Sequence, residues 1–341
     1  MGGGAVIRAV IVGCGNIAAR YAADLIAAGT VDLVGFYDVD RQRAIEYAER
    51  FGGEAFASLD DAIEAVELVL NLTIFEAHYP VSKAALSRSR HVYSEKPLAL
   101  RIEEAVELAD LALSHGVRLG AAPFTFLGEA QATAIEWVRS GRLGEVRLVY
   151  AEVNHGRIET WHPNPAPFYE VGPMLDVGVY PLAMLIEVFG PLNWLQAVSS
   201  TVMSDRVTLD GTTFTPGSPD YWLVHLEHHN GVKVRLTVDF YVKGDEGIVF
   251  HGDDASLRLE SWFVPNAGLW YRPYGGDEVA VEVVGGRAEV DWSAGVARFV
   301  EGIDSADPGP LDAERAVHMT AVLDAITRSG ASGEPVVVEV L

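Results

Sequence analysis

Cysteine is almost absent from this chain: Cys14 is the only one in 341 residues. An intramolecular disulfide is therefore impossible, and a metal site built from several thiolates is excluded. Positive charge is scarce too. Lysine and arginine number 25 against 48 aspartates and glutamates, a formal net charge of −23 at pH 7. That balance argues against nucleic acid or an anionic membrane as the main partner. Long apolar runs are missing as well: no stretch approaches the roughly 18 residues of a membrane span. The opening Met-Gly-Gly-Gly-Ala has neither the basic segment nor the apolar core of a signal peptide, so a cytoplasmic protein is expected. No internal repeat stands out. Apolar residues nonetheless make up 49% of the chain, enough for a sizeable interior, and the length suits two domains.

The pattern divides near residue 125. Over 1–125, strands at 5–12, 31–37, 68–72, 91–94 and 118–121 alternate with helices at 16–28, 41–51, 60–65, 79–87 and 101–115. Such alternation predicts a doubly wound parallel sheet, a Rossmann domain. Over 126–341, valine- and aromatic-rich strands follow one another at 145–154, 192–202, 221–229, 232–241, 248–252 and 255–260. Few helices interrupt them, which predicts an α+β domain on a large, mostly antiparallel open sheet. A helix is expected at 178–189. Two late ones, near 292–303 and 313–327, are free to pack back on the first domain. The Thr-, Gly-, Pro- and Asp-rich stretch 204–219 reads as an exposed loop.

The first strand runs into Gly13-Cys14-Gly15-Asn16-Ile17-Ala18. Gly13 permits a tight strand-to-helix turn, Gly15 lets backbone approach a pyrophosphate, and Ala18 allows close helix packing. The amides that open the helix then face the anion. Asp38 ends the second strand, where a carboxylate hydrogen-bonds ribose hydroxyls and repels a 2′-phosphate. NAD is favoured, with NADP open because Arg41 and Arg43 lie close in sequence.

These residues, with Asn71-Leu72-Thr73, His78, the run His91-Val92-Tyr93-Ser94-Glu95-Lys96-Pro97-Leu98-Ala99 and the later Gly172-Pro173-Met174-Leu175-Asp176-Val177-Gly178-Val179-Tyr180, resemble the glucose–fructose oxidoreductase / inositol dehydrogenase (Gfo/Idh/MocA) family. The resemblance spans nearly the whole chain. It implies a nicotinamide-dependent oxidoreductase of sugars, polyols or related carbohydrates, with an open sheet that often forms a dimer or tetramer interface. It adds Asn16, Ile17, Thr73, His78, Glu95 and Lys96 to the cofactor-binding set, and it makes Lys96 the catalytic lysine. Asp176 matches the acidic position of the second signature. Tyr180 stands where many members carry a histidine. Thr73-Ile74 replaces the usual Thr-Pro, and Phe75 replaces a residue that is often polar.

Oxidising a carbinol requires a group to take the hydroxyl proton as hydride departs. Tyrosine is a poor base near neutrality, but a neighbouring ammonium favours the phenolate. Lys96 and Tyr180 are therefore read as catalytic with Asp176, and either Lys96 or Tyr180 could move the proton. The same three are substrate contacts, joined by Trp161 and His162 of Trp161-His162-Pro163-Asn164-Pro165, whose groups suit a sugar's faces and hydroxyls. His155 is a further candidate. Each has a plainer reading: Lys96 as a solvated charge, Tyr180 as core, Asp176 as a helix cap, and 161–165 as a stiff surface loop. His225-Leu226-Glu227-His228-His229 reads as a solvated hairpin end, not a metal site. Two other functions stay open. One is a noncatalytic dinucleotide-responsive binding protein; the other is a carbohydrate lyase or glycosidase that uses bound NAD as a redox relay.

Overall fold

Ala9, Val10, Ile11 and Val12 are each at most 1% exposed, so this strand is apolar on both faces. Such a segment belongs in the middle of a parallel sheet covered by helices. The computed structural model describes residues 6–339, leaving out the side chains of 245 and 246. It contains two units. The first gathers residues 6–124 together with Asp291–Thr320, and the second gathers Thr125–Val290 and residues 321–339.

In the first unit, strands β1 (Arg8–Val12), β2 (Asp32–Tyr37), β3 (Glu54–Ala55), β4 (Leu68–Asn71), β5 (His91–Ser94) and β6 (Leu119–Ala121) form one sheet. Its order is β3-β2-β1-β4-β5-β6, parallel throughout. Helices α1 (Asn16–Ala28), α2 (Arg41–Phe51), α3 (Leu59–Glu64), α4 (Phe75–Leu86) and α5 (Ile102–His115) connect the strands. Local chemistry sets their ends. Gly29 adopts φ 64° and donates its N–H to Leu25 O, closing α1. The Asp40 carboxylate accepts the Gln42 N–H at 3.1 Å to open α2, and Ser58 does the same for α3 through Asp61 N–H.

The strand order reverses between β1 and β4, the place where doubly wound sheets bind ligands beyond their carboxyl ends. Helix Ala294–Ile303 belongs to this unit. It brings Phe299 to 5.7 Å from Tyr93, ring to ring, and the preceding Trp292 packs on Tyr21 and Phe124. Ala121 N–H donates to Leu311 O at 3.2 Å, so a late segment covers the edge of β6.

The second unit adds β7 (Val146–His155), β8 (Leu192–Ser200), β9 (Arg206–Val207), β10 (Thr213–Phe214), β11 (Tyr221–His228), β12 (Lys233–Asp239), β13 (Lys243–Gly252), β14 (Ala255–Leu259), β15 (Leu269–Pro273), β16 (Val279–Ala280) and β17 (Val336–Val337). Nine of them form a sheet in the order β16-β15-β14-β13-β7-β12-β11-β8-β17. All its pairings are antiparallel except β7 with β12.

Two expectations need correction, and several elements lie where none was stated. Helix α4 begins at Phe75, four residues before the expected start, because Pro80 lies inside it and not at its first turn. Helices α6 (Glu129–Arg139) and α7 (Ala166–Val171) lie where no element was expected. The edge strands β16 and β17, and β15 beside β16, are short and partly exposed and carry too little alternation to register as strands. The segment 204–219 is not simply an exposed loop: β9 and β10 pair within it, and the Arg206 side chain is completely buried.

Candidate active site

Gly13 has φ +96°, and a Cβ there would lie 2.7 Å from Leu72 O. Only glycine lets β1 turn this closely over the end of β4. Gly15 is different: nothing lies within 4 Å of where its Cβ would be, and no side chain caps the start of α1. The helix opening at Asn16 and Ile17 thus keeps backbone donors and space beside them. Asp38 is held across the tip of this turn. Its Oδ2 accepts the Cys14 N–H at 2.7 Å and its Oδ1 accepts the Asp40 N–H at 2.8 Å. Arg43 is directed to Asp40, 3.4 Å away on the exposed surface.

Cys14 itself is 4% exposed, and burial, with Asp38's carboxylate second, pushes its thiol up to about 12. A neutral buried thiol is a poor nucleophile. The native protein should therefore resist a thiol reagent at mildly alkaline pH, and the unfolded chain should consume one equivalent. Prompt reaction of the folded protein would show that this turn is open.

Beyond β4 and β5 the site is built from buried polar groups. Asn71 is fully buried; its Nδ2 donates to His78 O at 2.9 Å and to Ser82 Oγ at 3.0 Å, while its Oδ1 accepts the Thr73 hydroxyl at 2.7 Å. His78, 1% exposed, has Nδ1 2.6 Å from Pro97 O and Nε2 3.1 Å from Thr73 O. Both ring nitrogens are thus committed to backbone carbonyls. Burial, chiefly, lowers its pKa below the ordinary imidazole value. Glu95 and Lys96 are 9% and 7% exposed. The Glu95 carboxylate accepts the Tyr21 hydroxyl at 2.7 Å and the Lys96 peptide N–H at 3.1 Å, and the Lys96–Pro97 bond is cis. The Lys96 ammonium lies 5.9 Å from the Phe75 ring centroid.

In the second unit, residues Met174–Gly178 make a wide π-helical turn that runs directly into α8 (Val179–Phe189). Turns of this kind recur at functional sites. Asp176 lies on the π turn and Tyr180 four residues on, both partly exposed. Tyr180 stacks on Trp262 at 5.0 Å and 15°, with Phe263 edge-on at 5.5 Å. Trp161 is 55% exposed, its ring 5.5 Å from that of His162. The His162 Nδ1 accepts the Asn164 N–H at 3.0 Å, which leaves its hydrogen on Nε2. His155 packs against Phe240 and Trp161. Of the His225–His229 tract, His228 is fully buried with Nδ1 2.8 Å from Gly190 O, so the hairpin end is only partly solvated.

Residues 7–122 match the oxidoreductase family with an NAD-binding Rossmann fold, and residues 132–258 match the GFO/IDH/MocA C-terminal domain. The chain belongs to the Gfo/Idh/MocA family. It is an oxidoreductase whose first unit is an NAD-binding Rossmann domain. Among curated family members, the dTDP-3,4-didehydro-2,6-dideoxy-alpha-D-glucose 3-reductase of Streptomyces antibioticus is 35% identical over 273 residues, 76% of this chain and 77% of that one. The glucose-6-phosphate 3-dehydrogenase of Bacillus subtilis is 35% identical over 108 residues, 32% of this chain and 31% of that one. An inositol dehydrogenase homolog from Azotobacter vinelandii, solved with NAD+, shares the fold at TM-score 0.84 and 19% identity, covering 97% of each chain.

Three contacts to the candidate site residues were missed in the sequence: Tyr21 on Glu95, Tyr47 donating to Gly15 O at 2.7 Å, and the Trp262–Phe263 pair around Tyr180. Each acts across a long sequence gap, so no local pattern marks it.

Proposed function

We propose that this protein oxidises or reduces ring carbon 3 of a hexose derivative with NAD. The observation that carries the reading is the likeness to a sugar 3-reductase over three quarters of the chain, reinforced by the 3-dehydrogenase that matches over 108 residues. The residues suit the cofactor. Gly13, Gly15, Asn16 and Ile17 would hold the pyrophosphate at an uncapped helix start with room beside it. Asp38 would take the ribose hydroxyls, its carboxylate already oriented by two peptide N–H groups. Thr73, Glu95 and Lys96 line the carboxyl ends of β4 and β5, where the nicotinamide end would lie.

When bound, NAD would supply the hydride acceptor for the carbinol carbon. Lys96 holds the substrate oxygen through its ammonium and stabilises negative charge there. In the second unit Tyr180 takes the hydroxyl proton in oxidation and returns it in reduction, and Asp176 binds a neighbouring hydroxyl. Trp161 and His162 supply an aromatic face and an Nε2–H donor for the sugar. The exposed face of the large sheet carries Tyr150, Val198 and Leu223, each at least 37% exposed, and is our candidate for a homodimer or homotetramer interface. A reducing cytoplasm suits the single thiol.

The test is a titration with NADH and NADPH, followed by energy transfer from tryptophan, and then a turnover screen of hexoses, hexose phosphates and nucleotide sugars. NADH should bind more tightly, and product analysis should place the carbonyl at carbon 3. Tighter NADPH binding would overturn the role given to Asp38. Turnover confined to non-carbohydrate alcohols would overturn the substrate class.

A further inference from the structure

His78 presents its two ring nitrogens to carbonyls from two different loops, Pro97 O at 2.6 Å and Thr73 O at 3.1 Å. Both partners are acceptors only, and a neutral imidazole owns a single N–H. The shorter contact assigns that hydrogen to Nδ1, which leaves the Nε2 lone pair facing Thr73 O. The ring also meets the Phe75 ring edge-to-face at 5.9 Å and 83°. That same Phe75 ring lies 5.9 Å from the Lys96 Nζ, within the reach of a cation–π contact. One side chain therefore governs both the carbonyl that follows Lys96 and the aromatic face beside its ammonium.

We propose that His78 is a positioning residue for Lys96, acting on the backbone through Pro97 O and on the ammonium through Phe75. The role rests on reading Lys96 as the catalytic lysine. It also explains why a histidine committed to two carbonyls sits in a cofactor-binding segment without offering a nitrogen to any ligand. Two charged groups act on the ring, Glu95, which favours its cation, and Lys96, which opposes it; from β4 the uncharged Asn71 amide donates to the His78 carbonyl. Protonation supplies the second N–H, ties Thr73 O as well, and places a like charge near Lys96.

The chain has only four lysines, Lys83, Lys96, Lys233 and Lys243, so lysine labelled with 13C at Cε gives a spectrum simple enough to read directly. Lys96→Arg assigns the Lys96 signal. In the cofactor-free protein, titrated downward from about pH 8 through the lowered His78 midpoint, itself read from labelled histidine, the Lys96 signal should move with the His78 ring while the other three do not follow it. Phe75→Leu should remove the ring-current shift of Lys96 and shrink its response. His78→Leu should displace the Lys96 signal, and His78→Gln, which keeps an N–H donor, should restore most of its position. With a turnover substrate, His78→Leu should lower kcat on the order of 10- to 100-fold, with KM for NAD within about threefold. A Lys96 signal that stays flat through the His78 titration overturns the proposal, and this holds even if His78→Leu does not fold. The spectrum needs no turnover. A coupled Lys96 in a protein that oxidises no sugar would refute the proposed function and leave the positioning role standing.

Discussion

Lys96→Met is expected to lower turnover about 10²- to 10⁴-fold while NADH binding stays within several-fold. Methionine keeps an unbranched apolar stem of similar reach, so the packing around a residue only 7% exposed is largely preserved. What disappears is the ammonium. The Lys96 N–H still donates to Glu95, and the Tyr21–Glu95 bond is untouched, so the loop beyond β5 keeps its supports. A cation that polarises the substrate oxygen contributes mainly in the transition state, and its loss should lower kcat and kcat/KM together. Steady-state kinetics beside the energy-transfer titration separate the outcomes. Unchanged turnover would remove Lys96 from the mechanism, whereas loss of NADH binding would make it a binding residue instead.

The second large effect is on stability. Arg206→Met should destabilise the second unit by about 3–5 kcal/mol, the cost typical of breaking a buried ion pair from one side. Arg206 is 0% exposed, and its guanidinium meets Glu159 at 2.9 Å, Asp220, and the Tyr169 hydroxyl at 2.6 Å, with its plane over the Tyr169 ring at 4.2 Å. Glu159 and Asp220 are 1% and 0% exposed and would be left as buried anions. In the thermal transition, the loss corresponds to a fall on the order of 10 °C. Neutralising the stranded acids, Glu159→Gln with Asp220→Asn, should recover part of it. Recovery would assign the penalty to uncompensated charge; no recovery would assign it to lost packing.

The pH dependence gives the sign independently. Burial raises the Glu159 pKa, but the Tyr169 hydroxyl, Arg157 and Arg206 outweigh it and hold the carboxyl below its ordinary value. A lowered folded-state pKa contributes stability that is present above the unfolded pKa and lost as pH falls through the folded one. The wild-type protein therefore loses this contribution in acid. The gap to Arg206→Met should narrow there, because the variant's stranded acids take up protons at higher pH.

The first unit was the more legible in sequence, and the reason is local. Helices α1 and α2 and strand β5 run over 16–28, 41–51 and 91–94 as expected. Gly29, the Asp40 cap and short apolar runs announce their own boundaries. Helix α4 was harder to bound, because it starts at Phe75 with no side-chain cap at Ile74 and carries Pro80 within it. The buried position of Arg206 was illegible for a different reason. Its partners Asp220 and Glu159 are 14 and 47 residues away, and only the folded second unit gathers them. His78 stood inside a recognisable segment, but nothing local shows that both its nitrogens would be taken by carbonyls.

Strand β7 lies between β13 and β12, so the ribosome delivers it well before either neighbour exists. No hairpin with the next strand can shelter it, since β8 sits three places away. Val149, Ala151 and Val153, fully buried at the end, must wait through roughly eighty further residues of synthesis before Lys233–Asp239 can lie beside them. The first unit waits longer still. Its sheet emerges early, but the Trp292 and Phe299 rings that cover Tyr21 and Tyr93 follow β6 by roughly 170 residues. During that interval the nascent chain carries exposed apolar surface and an uncovered β6 edge, which makes chaperone demand greatest before residues 291–320 are made.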